Sequence, residues 1–340
     1  MLEENIIKSV DNLLKKANYE TFSFFDKNKF FFDLLVKKDN SILLIKVFSN
    51  IDNLNEDVIN GIKLMSNLLQ SKPILIGVKN RYQKLDDNTI YVRNELPFIT
   101  YNTLENIITN NEFPYVLARR GGGVIFLDGA KVKELREKKS ISRKELSEKL
   151  QITKRTVCSY ENENMRPSQT IAEKLLNVLE DENKSIFRNV NVFEWSIKFS
   201  LDLDKPEDDQ ELTSFESHLQ DIIKDIGIGT HWYKKDKVPF ELSIHSKQVN
   251  LDSAENNIFP LFSNVPEEKK KVNDLKLRYF LYMFTQLFNR RGIFIVDNDF
   301  RLSDVFKTPT GQSIPILKIK NLEEINSESE FIELIKKLEN

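Results

Sequence analysis

The chain of 340 residues has one cysteine, Cys158, which excludes an intramolecular disulfide framework and a cysteine-built metal cluster. Its three histidines, His218, His231 and His245, are too dispersed for a recognised metal motif. No apolar run approaches the roughly 18 residues that a membrane span needs, and the N-terminus MLEENIIKSV lacks the basic-then-apolar pattern of a signal peptide. The expectation is a cytoplasmic protein with no membrane partner. Ten glycines and ten prolines are too few for long flexible linkers. The chain also lacks a surplus of positive charge: its net charge of −2 excludes a protein that coats nucleic acid over its whole surface.

The charge that is present is unevenly placed. From Arg119 to Thr170 there are thirteen basic and seven acidic residues, so a local surplus of six positive charges sits between acidic flanks. A basic island of this kind is the footprint of a local nucleic-acid contact. Within it, residues 143–162 read RKELSEKLQITKRTVCSYEN. Leu146, Leu150, Ile152, Val157 and Tyr160 are spaced so that two short helices bury one shared face, with the small Ser147 at their closest approach. Ser142 with Glu145 three residues on reads as an N-cap and capping box, and Thr153 caps the second helix. Lys154, Arg155, Cys158 and Ser159 remain on the outer face of that helix.

Residues 128–180 resemble the Cro/lambda-repressor (XRE) class of helix-turn-helix domains. Asp128 caps a leading helix with Val132 and Leu135 inward; Ser168 caps a trailing one with Ile171, Leu175 and Leu179 inward. Two positions depart from the class. Gln151 stands where the turn usually has Gly, and Arg143 stands where a phosphate-clamping Gln is common. The resemblance implies a recognition helix over 153–161 in the major groove, with Lys154, Arg155 and Ser159 on base edges and Arg143, Thr153 and Asn162 on phosphates. It also implies a homodimer on double-stranded DNA. Cys158, near Lys154 and Arg155, reads as a small groove-facing residue.

The flanks predict α/β domains. Residues 1–118 give helices at Glu4–Ala17, Asn53–Leu69 and Thr103–Thr109, with strands at Phe22–Phe25, Phe30–Val36, Ile42–Val47, Ile74–Val78 and Phe98–Thr100. A similar order returns after the motif. Phe215–Asp225 and Asp274–Phe288 are helical, Phe240–His245 and Gln248–Leu251 stand for the second and third strands, and Gly292–Val296 is a buried strand. NTLENI at 102–107 matches KNLEEI at 320–325, each after a Pro-initiated strand at Pro97 and Pro315. The pattern reads as a diverged repeat. Tyr279, Phe280, Tyr282, Met283, Phe284, Leu287 and Phe288 make one helix unusually aromatic, as core packing or as part of a dimer interface.

The α-β-β-β-α-β order resembles the PD-(D/E)xK nuclease fold. That chemistry needs an acid on one strand and a second acid and a Lys, one residue apart, on the next, to hold Mg²⁺ and orient water. Asp33 and Lys46 suit the first acid and the Lys, but Leu44 occupies the second acid's place. After Glu241 in the second half the matching positions are Asp252 and Ala254. Both halves therefore read as catalytically silent, without metal, cofactor or catalytic residues.

The divisions expected are 1–118 nuclease-like, 119–185 helix-turn-helix, and 186–340 a second nuclease-like domain for dimerisation or regulation. Arg119-Arg120-Gly121-Gly122-Gly123 lacks phosphate-loop spacing and reads as a hinge whose arginines reach the DNA backbone. The whole arrangement resembles a family of archaeal HTH-type transcriptional regulators, through FFDLLVKKDNSILLIKVFSNID at 31–52 and RGGGVIFLDGAKVKELRE at 120–137. It implies a nucleoid-associated DNA-binding regulator, not an enzyme, answering to an unknown protein or small-molecule effector. The rivals are a Mg-dependent structure-selective nuclease using Asp33 and Lys46, and an antitoxin-like protein-binding module.

Overall fold

The computed structural model describes residues 2–23, 30–119, 122–195, 212–233, 237–238, 240–246, 258–265, 275–288, 291–299 and 314–339. It forms two compact units, Met1–Ser23 with Asp33–Lys198, and Phe24–Phe32 with Phe199–Asn340. No helix among the described residues is long and apolar enough to cross a membrane.

The first unit is built on an eight-stranded sheet. Its strands are β1 (Glu20–Ser23), β2 (Leu34–Lys38), β3 (Ser41–Asn50), β4 (Lys72–Lys79), β5 (Thr89–Arg93), β6 (Leu96–Ile99), β7 (Val116–Arg119) and β8 (Gly122–Ile125), in the order β1-β2-β3-β4-β6-β5-β7-β8. The first three pair antiparallel, and β3, β4 and β6 run parallel. Alternation sends Leu43, Ile45 and Val47 into a core with Ile7, Val10 and Leu14 of α1 (Leu2–Lys16) and Leu104 and Ile107 of α3 (Tyr101–Asn110). Leu44 and Lys46 therefore face the opposite side of the sheet. There α2 (Glu56–Leu68) packs on β4.

Four helices complete this unit: α4 (Gly129–Lys138), α5 (Arg143–Leu150), α6 (Lys154–Glu161) and α7 (Gln169–Leu179). Among the described residues, the stretch expected to be a hinge is paired strand. Arg119 and Gly122, the described ends of the supposed hinge, are paired in the β7–β8 hairpin, and β7 adds to β5. The hairpin's two faces serve two cores. Leu117 and Phe126 belong to the sheet core, whereas Val116, Ile125 and Leu127 pack with Val132, Leu146, Val157 and Leu175. The amide of Ile125 donates to Pro167 O at 2.9 Å and that of Asp128 to Ile186 O at 2.8 Å.

In the second unit, α8 (Ser214–Asp225), β9 (Gly229–Trp232), β10 (Leu242–His245), β11 (Leu261–Asn264), α9 (Leu275–Phe288), β12 (Arg291–Val296), β13 (Ile316–Lys318), α10 (Ile319–Glu323) and α11 (Glu328–Glu339) follow in turn. The five strands lie in the order β13-β12-β11-β10-β9. β9, β10 and β11 pair antiparallel; β11, β12 and β13 run parallel. This is the strand order and sense of β1, β2, β3, β4 and β6, each set led by a helix.

Two sequence expectations are corrected here. The third strand of this sheet is Leu261–Asn264; Gln248–Leu251, Asp252 and Ala254 lie outside the described residues. Phe30 to Phe32 do not begin β2. They fall in the second unit, where the Phe31 amide donates to Lys237 O at 2.9 Å. Of the aromatic helix, Phe284 and Phe288 are core residues, Phe284 packing on Phe240 and Phe262. The side chains of Tyr279, Phe280 and Leu287 lie outside the described residues.

Candidate nucleic-acid interface

Helix α5 starts at a complete capping box: the Glu145 amide donates to Ser142 Oγ at 3.1 Å and the Ser142 amide to Glu145 Oε2 at 2.7 Å. It ends at Gln151, whose φ of 57° and ψ of 44° put a residue with a Cβ in the left-handed region. The Ile152 amide reaches back to Ser147 O at 3.0 Å, closing a Schellman motif. This turn fixes the angle between α5 and α6. Thr153 then caps α6, accepting from the Thr156 amide at 3.1 Å, and Asp128 and Ser168 cap α4 and α7.

The helices are locked by one buried acidic group. Glu161, at the end of α6, is buried and accepts from Arg136 Nε at 2.5 Å and from Arg143 Nε at 2.8 Å. Burial pushes its carboxyl up, but the hydrogen bonds and charges of the two arginines outweigh that and hold it below its usual value. Arg136 also donates to Ile141 O at 2.9 Å, tying α4 to the start of α5. Gly129 opens α4 directly against the Glu161 and Tyr160 carbonyls, where any Cβ would collide with backbone. The pairing spans 25 and 18 residues, beyond the reach of local pattern.

The six residues singled out as DNA contacts fall as follows. Thr153, Lys154, Arg155 and Asn162 are exposed along α6 and at its ends. Ser159 is half-buried and donates to Arg155 O at 3.1 Å, and Asn162 Nδ2 donates to Cys158 Sγ at 3.4 Å. Arg143 lies on α5, with Nε committed to Glu161. Lys154, Arg155, Cys158, Ser159 and Asn162 thus form one polar strip one turn apart, opposite the buried Val157 and Tyr160.

The nuclease-like position is built differently from a metal site. Asp33 is buried, with Oδ1 2.9 Å from Lys46 Nζ and Oδ2 accepting from the Val47 amide at 2.7 Å. Burial pushes the Asp33 carboxyl up, against the pull of Lys46 and Val47, and the charge of Glu3 adds to the rise. Glu3, on α1, holds the Ser49 amide at 2.7 Å. Both Asp33 oxygens are engaged and Leu44 fills the second acid's place, so this donor set does not fit a divalent cation. Among the described residues no group of three or more His, Cys, Asp or Glu could hold a metal.

The second sheet repeats the geometry with other residues. The Glu241 amide donates to Ser263 O at 2.9 Å and Glu241 Oε2 accepts from the Val265 amide at 2.8 Å, as Asp33 does with Ile45 O and the Val47 amide. The register therefore puts Phe262 at the place of Leu44 and Asn264 at that of Lys46, which corrects the sequence-based match to Asp252 and Ala254. His231 and Ser243 sit opposite each other on the Phe262 face, and His245 lies two residues along.

The fold and the site define a helix-turn-helix protein with an N-terminal nuclease-like domain. Residues 3–114 match the PD-(D/E)XK superfamily domain and residues 132–180 the helix-turn-helix. Over nearly its whole length the chain is similar to proteins named "Putative HTH-type transcriptional regulatory protein". That of Methanobrevibacter smithii is 28% identical over 97% of this chain and 96% of the relative. Those of Methanothermobacter thermautotrophicus and Thermococcus kodakarensis are 25% and 26% identical, covering 98% and 99% of this chain and 96% and 97% of their own. No solved structure matches.

Proposed function

We propose that the protein is a sequence-specific regulator of transcription that binds double-stranded DNA as a homodimer in the cytoplasm, on the nucleoid. The observation that carries this reading is the polar strip of α6, presented from a helical unit held by the Arg136–Glu161–Arg143 cluster. Lys154, Arg155 and Ser159 read base edges in the major groove. Thr153, Asn162 and the outer nitrogens of Arg143 hold phosphates. Two copies are needed because one recognition helix reads too few bases, and half-sites about one helical turn apart would suit a dimer. The names of the full-length relatives agree with regulation.

Residues 1–118 and 186–340 act as scaffold and effector-responsive arms around 119–185. We read them as copies of one ancestral domain, supported by the shared strand order and by the matching Asp33 and Glu241 registers. Arg155→Ala is expected to cost roughly 1–3 kcal/mol on a duplex selected from a random pool and little on unrelated duplex. Equal losses on both would reassign Arg155 to backbone positioning.

A nuclease is the second reading, favoured by the PD-(D/E)XK superfamily match at 3–114. Mg²⁺-dependent cleavage of duplex or branched DNA that disappears in Asp33→Ala would establish it. The engaged Asp33 oxygens speak for no cleavage.

A further inference from the structure

Arginines gather around the β7–β8 hairpin. Arg119 ends β7 and is exposed. Arg166, in the α6–α7 loop, lies with its guanidinium 4.3 Å from the centre of the Phe126 ring. Arg188 is anchored beside them, its amide donating to Phe126 O at 2.9 Å and its side chain pairing with Glu163. Among the described residues neither Arg119 nor Arg166 forms an ion pair. Glu163 is already committed to Arg188 and to the Gly129 amide. Burial first, then the charges of Arg119 and Arg188, pull the Arg166 guanidinium below its usual value.

Cations held together without matching acids raise the energy of the folded chain unless an anion neutralises them. All three are arginines, whose planar fork matches phosphate oxygens two at a time. The loop that carries Arg166 is fastened to the recognition helix, since the amides of Asn164 and Met165 both donate to Ser159 O, at 2.9 and 3.3 Å. It is equally fastened to the hairpin, through Ile125 and Pro167 and a bridge between Val124 and Ser168. The arginines are therefore fixed in register with the end of α6.

We propose that Arg119, Arg166 and Arg188 form a phosphate-binding surface for the DNA backbone flanking the recognition helix, making the sheet's edge hairpin part of the DNA interface. The inference rests on the reading of α6 as the DNA-binding helix. Arg166 and Arg188 follow the motif or close its loop; Arg119 comes from the nuclease-like sheet, and gives that sheet a direct part in binding.

The test is fluorescence anisotropy of the full chain across a KCl series, on a duplex selected from a random pool and on an unrelated duplex of equal length. Arg119→Gln and the double variant Arg119→Gln/Arg166→Gln are compared with Arg155→Ala. Each arginine removed should flatten the plot of log affinity against log salt by about 0.9, and by similar factors on both duplexes. Arg155→Ala should lose affinity on the selected duplex alone. Wild-type affinity and salt slope in Arg119→Gln and in the folded double variant, with Arg155→Ala still discriminating, would overturn this inference and leave the α6 reading standing. If the wild type binds neither duplex, both fall. Should the double variant fail to fold, Arg119→Gln decides, because the exposed Arg119 side chain forms no ion pair among the described residues.

Discussion

Lys46 Nζ lies 2.9 Å from Asp33 Oδ1, with the two side chains only 8% and 5% exposed. An ammonium thus sits on the carboxylate that nuclease chemistry would give to a metal. Such a pair contributes little net stability but is costly to break from one side. Lys46→Met should destabilise the chain by about 3–5 kcal/mol, whereas Asp33→Leu/Lys46→Met should recover most of that loss. Urea denaturation followed by tryptophan fluorescence and far-UV circular dichroism checks both, and equal losses in the two variants would show that the groups are not coupled.

Gln151 occupies the left-handed region at the turn of the motif. Gly there removes the Cβ clash, worth on the order of 1 kcal/mol, and Gln151→Gly should raise the melting temperature by a few degrees. Gln151→Val should lower it. A glycine variant that melts below wild type would mean that the Gln side chain itself contributes to the turn.

Glu161 makes the helix-turn-helix sensitive to acid. Its carboxyl is held below the usual value when folded, so its contribution is fully present above about pH 4.5, the unfolded range. That contribution is lost as the pH falls through the lowered folded value. Glu161→Gln removes the charge but keeps the shape. It should melt below wild type at neutral pH, with the difference shrinking below about pH 4. A difference that stays constant with pH would assign the loss to packing.

His231 acts in the opposite direction of charge. Burial, and then the neighbouring His245, hold its imidazole down to about 4. Folding therefore favours the neutral ring, and stability is lost as the pH falls from about 6.5 towards 4, up to on the order of 3 kcal/mol. His231→Gln should flatten the decline in that window. An unchanged slope between pH 6.5 and 4.5 would place the acid sensitivity elsewhere.

The elements that could be read from sequence are those whose cause is local. Asp128, Ser142 with Glu145, Thr153 and Ser168 all cap the helices expected of them, because a cap needs only the next three residues. The β7–β8 hairpin could not be read this way. Its glycines suggest looseness, while its order comes from pairing with β5, whose own strand at Thr89–Arg93 gives a short and weak signal. The third strand of the second sheet was misplaced for a related reason. A four-residue strand carries little periodicity, and only the Glu241 pairing with Ser263 fixes its register. The role of Glu161 depends on arginines 25 and 18 positions away, out of reach of any local pattern.

Val116 and Ile125 of the sheet lie in the same buried cluster as Leu146, Val157 and Leu175 of the helix-turn-helix. The helix-turn-helix cannot be lifted out as a cassette: a fragment cut at Asp128 would leave an oily scar where the hairpin had been. Melting of the sheet and melting of the helices should accordingly be one event. A ligand that tightens the sheet would then steady the helix-turn-helix through this common core, passing its effect on as shared stiffness.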